Sequence, residues 1–146
     1  MKKIFFSLTL IFVVTYSYTQ EVKDSFVSIN PIELRPEHPA EFPGGKKEWI
    51  NYLIHHLNRD LGYKYLTVSK GEQYAKATVN LLFEIDTIGH TTHIIVENAV
   101  EVHPELAKEG IRIIAASPLW IPATTNGKPV MDRRRQKVSF ARGSIH

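Results

Sequence analysis

A chain of 146 residues with 43% hydrophobic, 23% charged and 10% aromatic residues sets the scale at one globular domain and excludes a disordered, collagen-like or coiled-coil chain. It contains no cysteine, which excludes a disulfide framework, a thiolate nucleophile, a cysteine-based zinc or iron–sulfur centre and a lipidated Cys. The formal net charge of +3 is too small to argue by itself for nucleic-acid binding.

The N-terminus reads as a secretory signal peptide over residues 1–19. Lys2 and Lys3 precede a short apolar stretch, 4–14, followed by small and polar residues that include Ser17 and Thr19. A bilayer span takes roughly 20 apolar residues, more than this stretch has. Taking Lys2 and Lys3 from the 18 basic residues leaves 16 against 15 acidic ones, so an exported chain is nearly neutral. Residues 20–41 read as a linker, with Pro31, Pro36 and Pro39 favouring extended backbone and a short edge strand as an option at 27–32.

The globular part is expected over 42–146. Phe42-Pro43-Gly44-Gly45 is a turn or helix start. Trp49, Ile50, Leu53, Ile54 and Leu57 then share one helical face, and the spacing predicts a helix over 46–59 ending at Leu61-Gly62. Residues 63–68 are ambiguous between loop and strand, and Lys70-Gly71-Glu72 is a turn. From Ala75 to Ile85 every odd position is apolar, the pattern of a half-buried strand. Asp86-Thr87-Ile88-Gly89-His90 turns the chain, and 92–96 is the β-branched return strand.

A second helix opens at His103-Pro104-Glu105 and stops before Pro118, with Ala107, Ile111, Ile114 and Ala115 on one face. Asn126-Gly127-Lys128-Pro129 is a turn region, and 130–140 is a last strand. Its middle, Arg133-Arg134-Arg135-Gln136-Lys137, is strongly basic, as edge strands often are. The order predicts an α+β fold, a small three-stranded antiparallel sheet packed with two helices. The expected core joins Trp49, Leu53, Leu57, Val79, Leu81, Phe83, Ile111, Ile114 and Trp120.

No pattern points to catalysis. The serines beyond the linker, Ser69, Ser117, Ser139 and Ser144, lack a nucleophile-elbow motif. Gly44-Gly45-Lys46 lacks the spacing of a phosphate loop. Glu84 and Asp86 fall on the solvent side of their strand. Adjacent His55 and His56 diverge by about 100° on a helix, and no ligand set suits zinc. The expectation is a non-enzymatic chain with no cofactor and no metal. The basic run is the one feature suited to an anionic or acidic partner.

Three segments resemble the C-terminal domain of TonB in its Bacteroidetes form. These are Ala40-Glu41-Phe42-Pro43-Gly44-Gly45 before a helix, Ser117-Pro118-Leu119-Trp120-Ile121-Pro122-Ala123, and Asn126-Gly127-Lys128-Pro129-Val130 followed by Val138-Ser139-Phe140. Asp86-Thr87-Ile88-Gly89 matches the family's turn, and the elements between follow in matching order. The resemblance implies a binding module that pairs its last sheet strand with a short segment of a TonB-dependent outer-membrane receptor. On this chain it assigns partner binding to Val130, Asp132, Arg133, Arg134, Arg135, Gln136 and Lys137. TonB itself adds a permanent anchor and a long proline-rich spacer. Here about 20 linker residues reach roughly 70 Å at full stretch, and Gly62-Tyr63-Lys64-Tyr65 replaces the usual Tyr-Pro after the first helix. The expectation is therefore a periplasmic TonB-like domain binding a receptor or another envelope protein, with homodimerisation an option. A minimal inner-membrane energy transducer anchored by residues 4–20 and a basic envelope-binding module are the alternatives.

Overall fold

The computed structural model describes residues 35–143. The expected signal peptide, most of the expected linker and the optional strand at 27–32 lie outside the described residues. The elements run α1 (Gly45–His56), α2 (Asp60–Tyr65), β1 (Tyr74–Ile85), β2 (Thr91–Val96), α3 (Pro104–Ala115), β3 (Ala123–Thr125), β4 (Lys128–Val130) and β5 (Asp132–Gly143).

The architecture is α+β. An antiparallel three-stranded sheet in the order β2-β1-β5 carries helices on one face, and a separate β3–β4 hairpin lies beside it. The alternation in β1 drives the layering. Val79, Leu81, Phe83 and Ile85 are fully or nearly fully buried, while their even neighbours face the uncovered side of the sheet. From β5, Val138 and Phe140 join the same core. From α3, Leu106, Ile113 and Ile114 close it from above, and His103 caps that helix by accepting from the Glu105 amide at 3.2 Å.

An aromatic cluster fills the end of the core nearest the start of α1. Phe42, Trp49 and Trp120 meet with ring centroids 5.0–5.4 Å apart, and Phe83 reaches Trp120 at 5.9 Å. Both indole N–H groups find acceptors, Trp49 on Gln136 Oε1 at 2.8 Å and Trp120 on Ser117 Oγ at 3.1 Å. Gly89, at the hairpin turn with φ of 95°, sits against the Trp120 backbone, where a Cβ would lie 2.1 Å from the Trp120 carbonyl oxygen.

The structure corrects several expectations. The first helix ends at His56, and Leu61-Gly62 lies inside a second short helix, α2, which also takes in part of the ambiguous stretch 63–68. The phase expected for α3 is rotated. Leu106, Glu109, Gly110, Ile113 and Ile114 are the buried residues, and Ile111 is 38% exposed. The cause is Gly110, which lets the helix press against Val79 and Leu81 of β1. The strand expected over 130–140 is two strands broken at Met131, with Val130 closing the hairpin by pairing with Ala123. Glu84 is not simply a solvated carboxylate, because Arg133 and His93 cover it at 2.9 Å each. Residues 35–41, read as linker, pack on the body: His38 bridges Thr124, Glu41 bridges Ile121, and Ala40 is buried.

Candidate functional site

The outer edge of β5 is the candidate. Its inner edge pairs with β1 over the whole strand, from Ile85↔Asp132 to Tyr74↔Gly143, without a register shift. The direction of each backbone group follows from the other side of β1. Glu97 N–H donates to the Asn80 carbonyl at 2.8 Å, and Asn98 takes the Asn80 amide and the Thr78 carbonyl. Even residues of β1 therefore point their backbone groups at β2, and odd ones point at β5. The register then turns the backbone of Asp132, Arg134, Gln136, Val138 and Phe140 inward. That of Arg133, Arg135, Lys137, Ser139 and Ala141 faces outward.

Both ends of this edge are flanked by other segments. Ala141 meets α2 at Gly62, where a Cβ would lie 2.7 Å from the Ala141 carbonyl oxygen, and Arg142 donates to the Leu66 carbonyl at 2.8 Å. At the other end the lead-in is pinned by the Ala40 amide on the Asp132 carboxylate at 2.9 Å. Between them, from Arg135 to Ser139, no backbone group of another described strand pairs with the outward row. One outward acceptor is used locally, since Gln136 Nε2 donates to the Lys137 carbonyl at 2.7 Å.

The expected site residues divide by position. Val130 is half-buried in the β3–β4 hairpin, outside β5. Asp132 is buried and holds the lead-in, with Arg134 at 3.4 Å from its carboxylate. Gln136 is held on the helix side by Trp49. Arg133, Arg135 and Lys137 project from the uncovered face of the sheet. Arg133 bonds Glu84 at 2.9 Å, and Arg135 grips Glu97 through Nε at 3.0 and 3.3 Å. The hydrogen bond from Arg133 is the first cause holding the Glu84 carboxyl below its ordinary value, against the cost of burial, with His93 adding to it. So the basic run is not a free cationic stripe: its two outward arginines are matched by acids from β1 and from the end of β2.

Missed from the sequence were the residues that flank the edge. Ile50 and Ile54 of α1 are 45% and 47% exposed, on the side of the helix expected to be core. A cavity of about 510 Å³ lies between the lead-in, the first turns of α1 and residues 134–136. A second, of about 240 Å³, lies between Leu53, Ile54 and Leu57 and residues 137–139. The signal available was the width of the α1 apolar arc, broader than one packed face needs. Among the described residues no group of three or more histidine or acidic side chains converges as a metal site would require, and no helix is long and apolar enough to cross a membrane. Comparisons of the chain with protein-family profiles, with curated proteins and with solved structures returned no match.

Proposed function

We propose that the chain is a non-catalytic, TonB C-terminal-like binding module of the cell envelope. It takes an extended segment of a TonB-dependent outer-membrane receptor, or of another envelope protein, as an added strand on β5. The observation that carries this reading is the outward backbone row from Arg135 to Ser139, left without a strand partner among the described residues while the inner edge is fully laddered. An unpaired row of N–H and C=O groups is the template for strand addition, in which main-chain bonds give affinity. The succession α1, β1, β2, α3, β5 follows the order the resemblance implies, with α2 and the β3–β4 hairpin added to it. The ion pairs of Arg133 and Arg135 count against the basic-surface alternative, because their charge is already met within the fold.

The test is titration of peptides from the periplasmic N-termini of the host's TonB-dependent receptors. Arg135→Pro removes an outward donor and leaves the β1 ladder intact, so the expected result is a folded protein that no longer binds. Unchanged affinity in a folded Arg135→Pro variant removes strand addition.

A further inference from the structure

We infer that the stretch of β1 beyond the end of β2, residues 74–78, is a second strand-accepting edge, and that it takes an extended protein segment with an acidic residue opposite Lys76. This edge lies on the far side of β1 from β5. The inference therefore goes beyond the function proposed above and does not depend on it.

β1 has twelve residues and β2 only six. Their register runs from Ile85↔Thr91 to Leu81↔Val96, so the first part of β1 extends past its neighbour, while β5 covers the other side throughout. Even residues of β1 aim their backbone groups to the β2 side. At Asn80 both groups are met, the amide by Asn98 and the carbonyl by Glu97. Before Asn80 the row loses its partner. The Thr78 carbonyl accepts from Asn98 Nδ2 at 2.9 Å, but among the described residues no hydrogen bond reaches the Thr78 amide or the outward groups of Lys76 and Tyr74.

Asn98 shows what this row accepts. Its carboxamide oxygen takes the Asn80 N–H and its nitrogen donates to the Thr78 carbonyl, each at 2.9 Å, as a peptide group of a neighbouring strand does. The next donor and acceptor along the row, the Thr78 amide and the Lys76 carbonyl, are the same pair two residues on and have no such partner. A cavity of about 560 Å³ adjoins them, bounded by Asn98, Glu101 and Val102. A further strand needs to lie only about 4.8 Å outside β1.

Charge gives the chemistry of the segment. Even positions of β1 project onto the uncovered face, and a residue paired with Lys76 projects there beside it. Lys76 and Lys137 line the cavity on that face, with the Thr78 and Ser139 hydroxyls bonded to each other at 3.0 Å. Among the described residues no carboxylate pairs with either lysine. Glu101 is the one acid lining the cavity, so cations are in excess and favour Asp or Glu on the incoming strand. Two copies of this chain paired about Lys76 set lysine against lysine, so the occupant is a different chain.

The experiment compares three ten-residue peptides by fluorescence anisotropy. One alternates threonine with glutamate, one threonine with glutamine, and one threonine with lysine. The glutamate peptide should bind, and the other two at least ten-fold more weakly. Lys76→Pro removes an outward donor and spares the ladder to β5, which uses odd residues of β1, so a folded variant should lose the glutamate peptide at least ten-fold. Lys76→Glu, at an exposed side chain, should keep the melting temperature and reverse the order of the glutamate and lysine peptides. Arg135→Pro, on the other edge, should still bind the glutamate peptide. A glutamate peptide that fails to bind, or binds no better than the glutamine one, overturns the inference. So does unaltered affinity in folded Lys76→Pro, or loss in Arg135→Pro, which puts the guest on β5. Self-association of the unaltered protein that Lys76→Pro abolishes gives the edge to a second copy and also overturns it. Strand addition on β5 is judged separately, by receptor peptides and Arg135→Pro.

Discussion

Leu81 is fully buried between α3 and the sheet, touching the space that Gly110 opens. Leu81→Ala should cost about 2–5 kcal/mol, whereas Ile111→Ala, on the outer side of α3, should cost about 0.5 kcal/mol. Urea melts of the two variants test the observed helix phase against the one its spacing suggests. Glu109 is a second residue-scale case. Burial opposes its ionisation, but the Arg112 guanidinium at 2.6 and 2.7 Å and the Asn58 amide at 2.8 Å prevail and hold it below the ordinary value of 4.5. A carboxylate with a depressed pKa contributes stability that is complete above the unfolded value and is lost as pH falls through the folded one. Stability should therefore decline below about pH 4.5, and Glu109→Gln should flatten that decline while costing about 1–3 kcal/mol at neutral pH. The Glu109–Arg112 spacing of three is visible in the sequence. The Asn58 amide is not, because it comes from the segment after α1, and a linear reading has no means to bring the two helices together.

At the scale of elements, β1 and its hairpin with β2 were legible because a period of two with β-branched residues and a glycine turn leaves little choice. The break at Met131 was not, because Val130 is apolar and in phase with the strand after it; only its pairing with Ala123 separates the two. The short helix α2 was hidden by its glycine, which reads as a stop signal but serves as a contact with β5. The edge was legible as a basic strand, while its flanking wall, α1, was not, since Ile50 and Ile54 look like core residues. Backbone phase in β5 gives an element-scale prediction. Gln136→Pro removes a donor to Leu81 in the ladder and should lower the melting temperature sharply, whereas Arg135→Pro should leave it near that of the unaltered protein. Equal effects at the two positions would mean the outward row has been assigned to the wrong residues.

For the whole molecule, mass spectrometry of the mature N-terminus in fractionated cells separates an exported domain from an anchored one. A start near residue 20 is expected, and an intact Lys2 end in the membrane fraction would favour the anchored alternative. The flanked ends of β5 have a consequence for the protein in a crowded compartment. Fibril-forming zippers need about six or seven contiguous, weakly charged residues able to stack in register. Gly62 and the lead-in leave the interval from Arg135 to Ser139, shorter than that and carrying Arg135 and Lys137 as gatekeepers. The same interval still suits one transient guest. Gly62→Val, by forcing α2 from the Ala141 backbone, should lengthen the bare edge and raise thioflavin T signal on storage. On this account the methyl group that Gly62 lacks, together with the lead-in and the two charges, keeps the edge open to a guest strand without making it a seed.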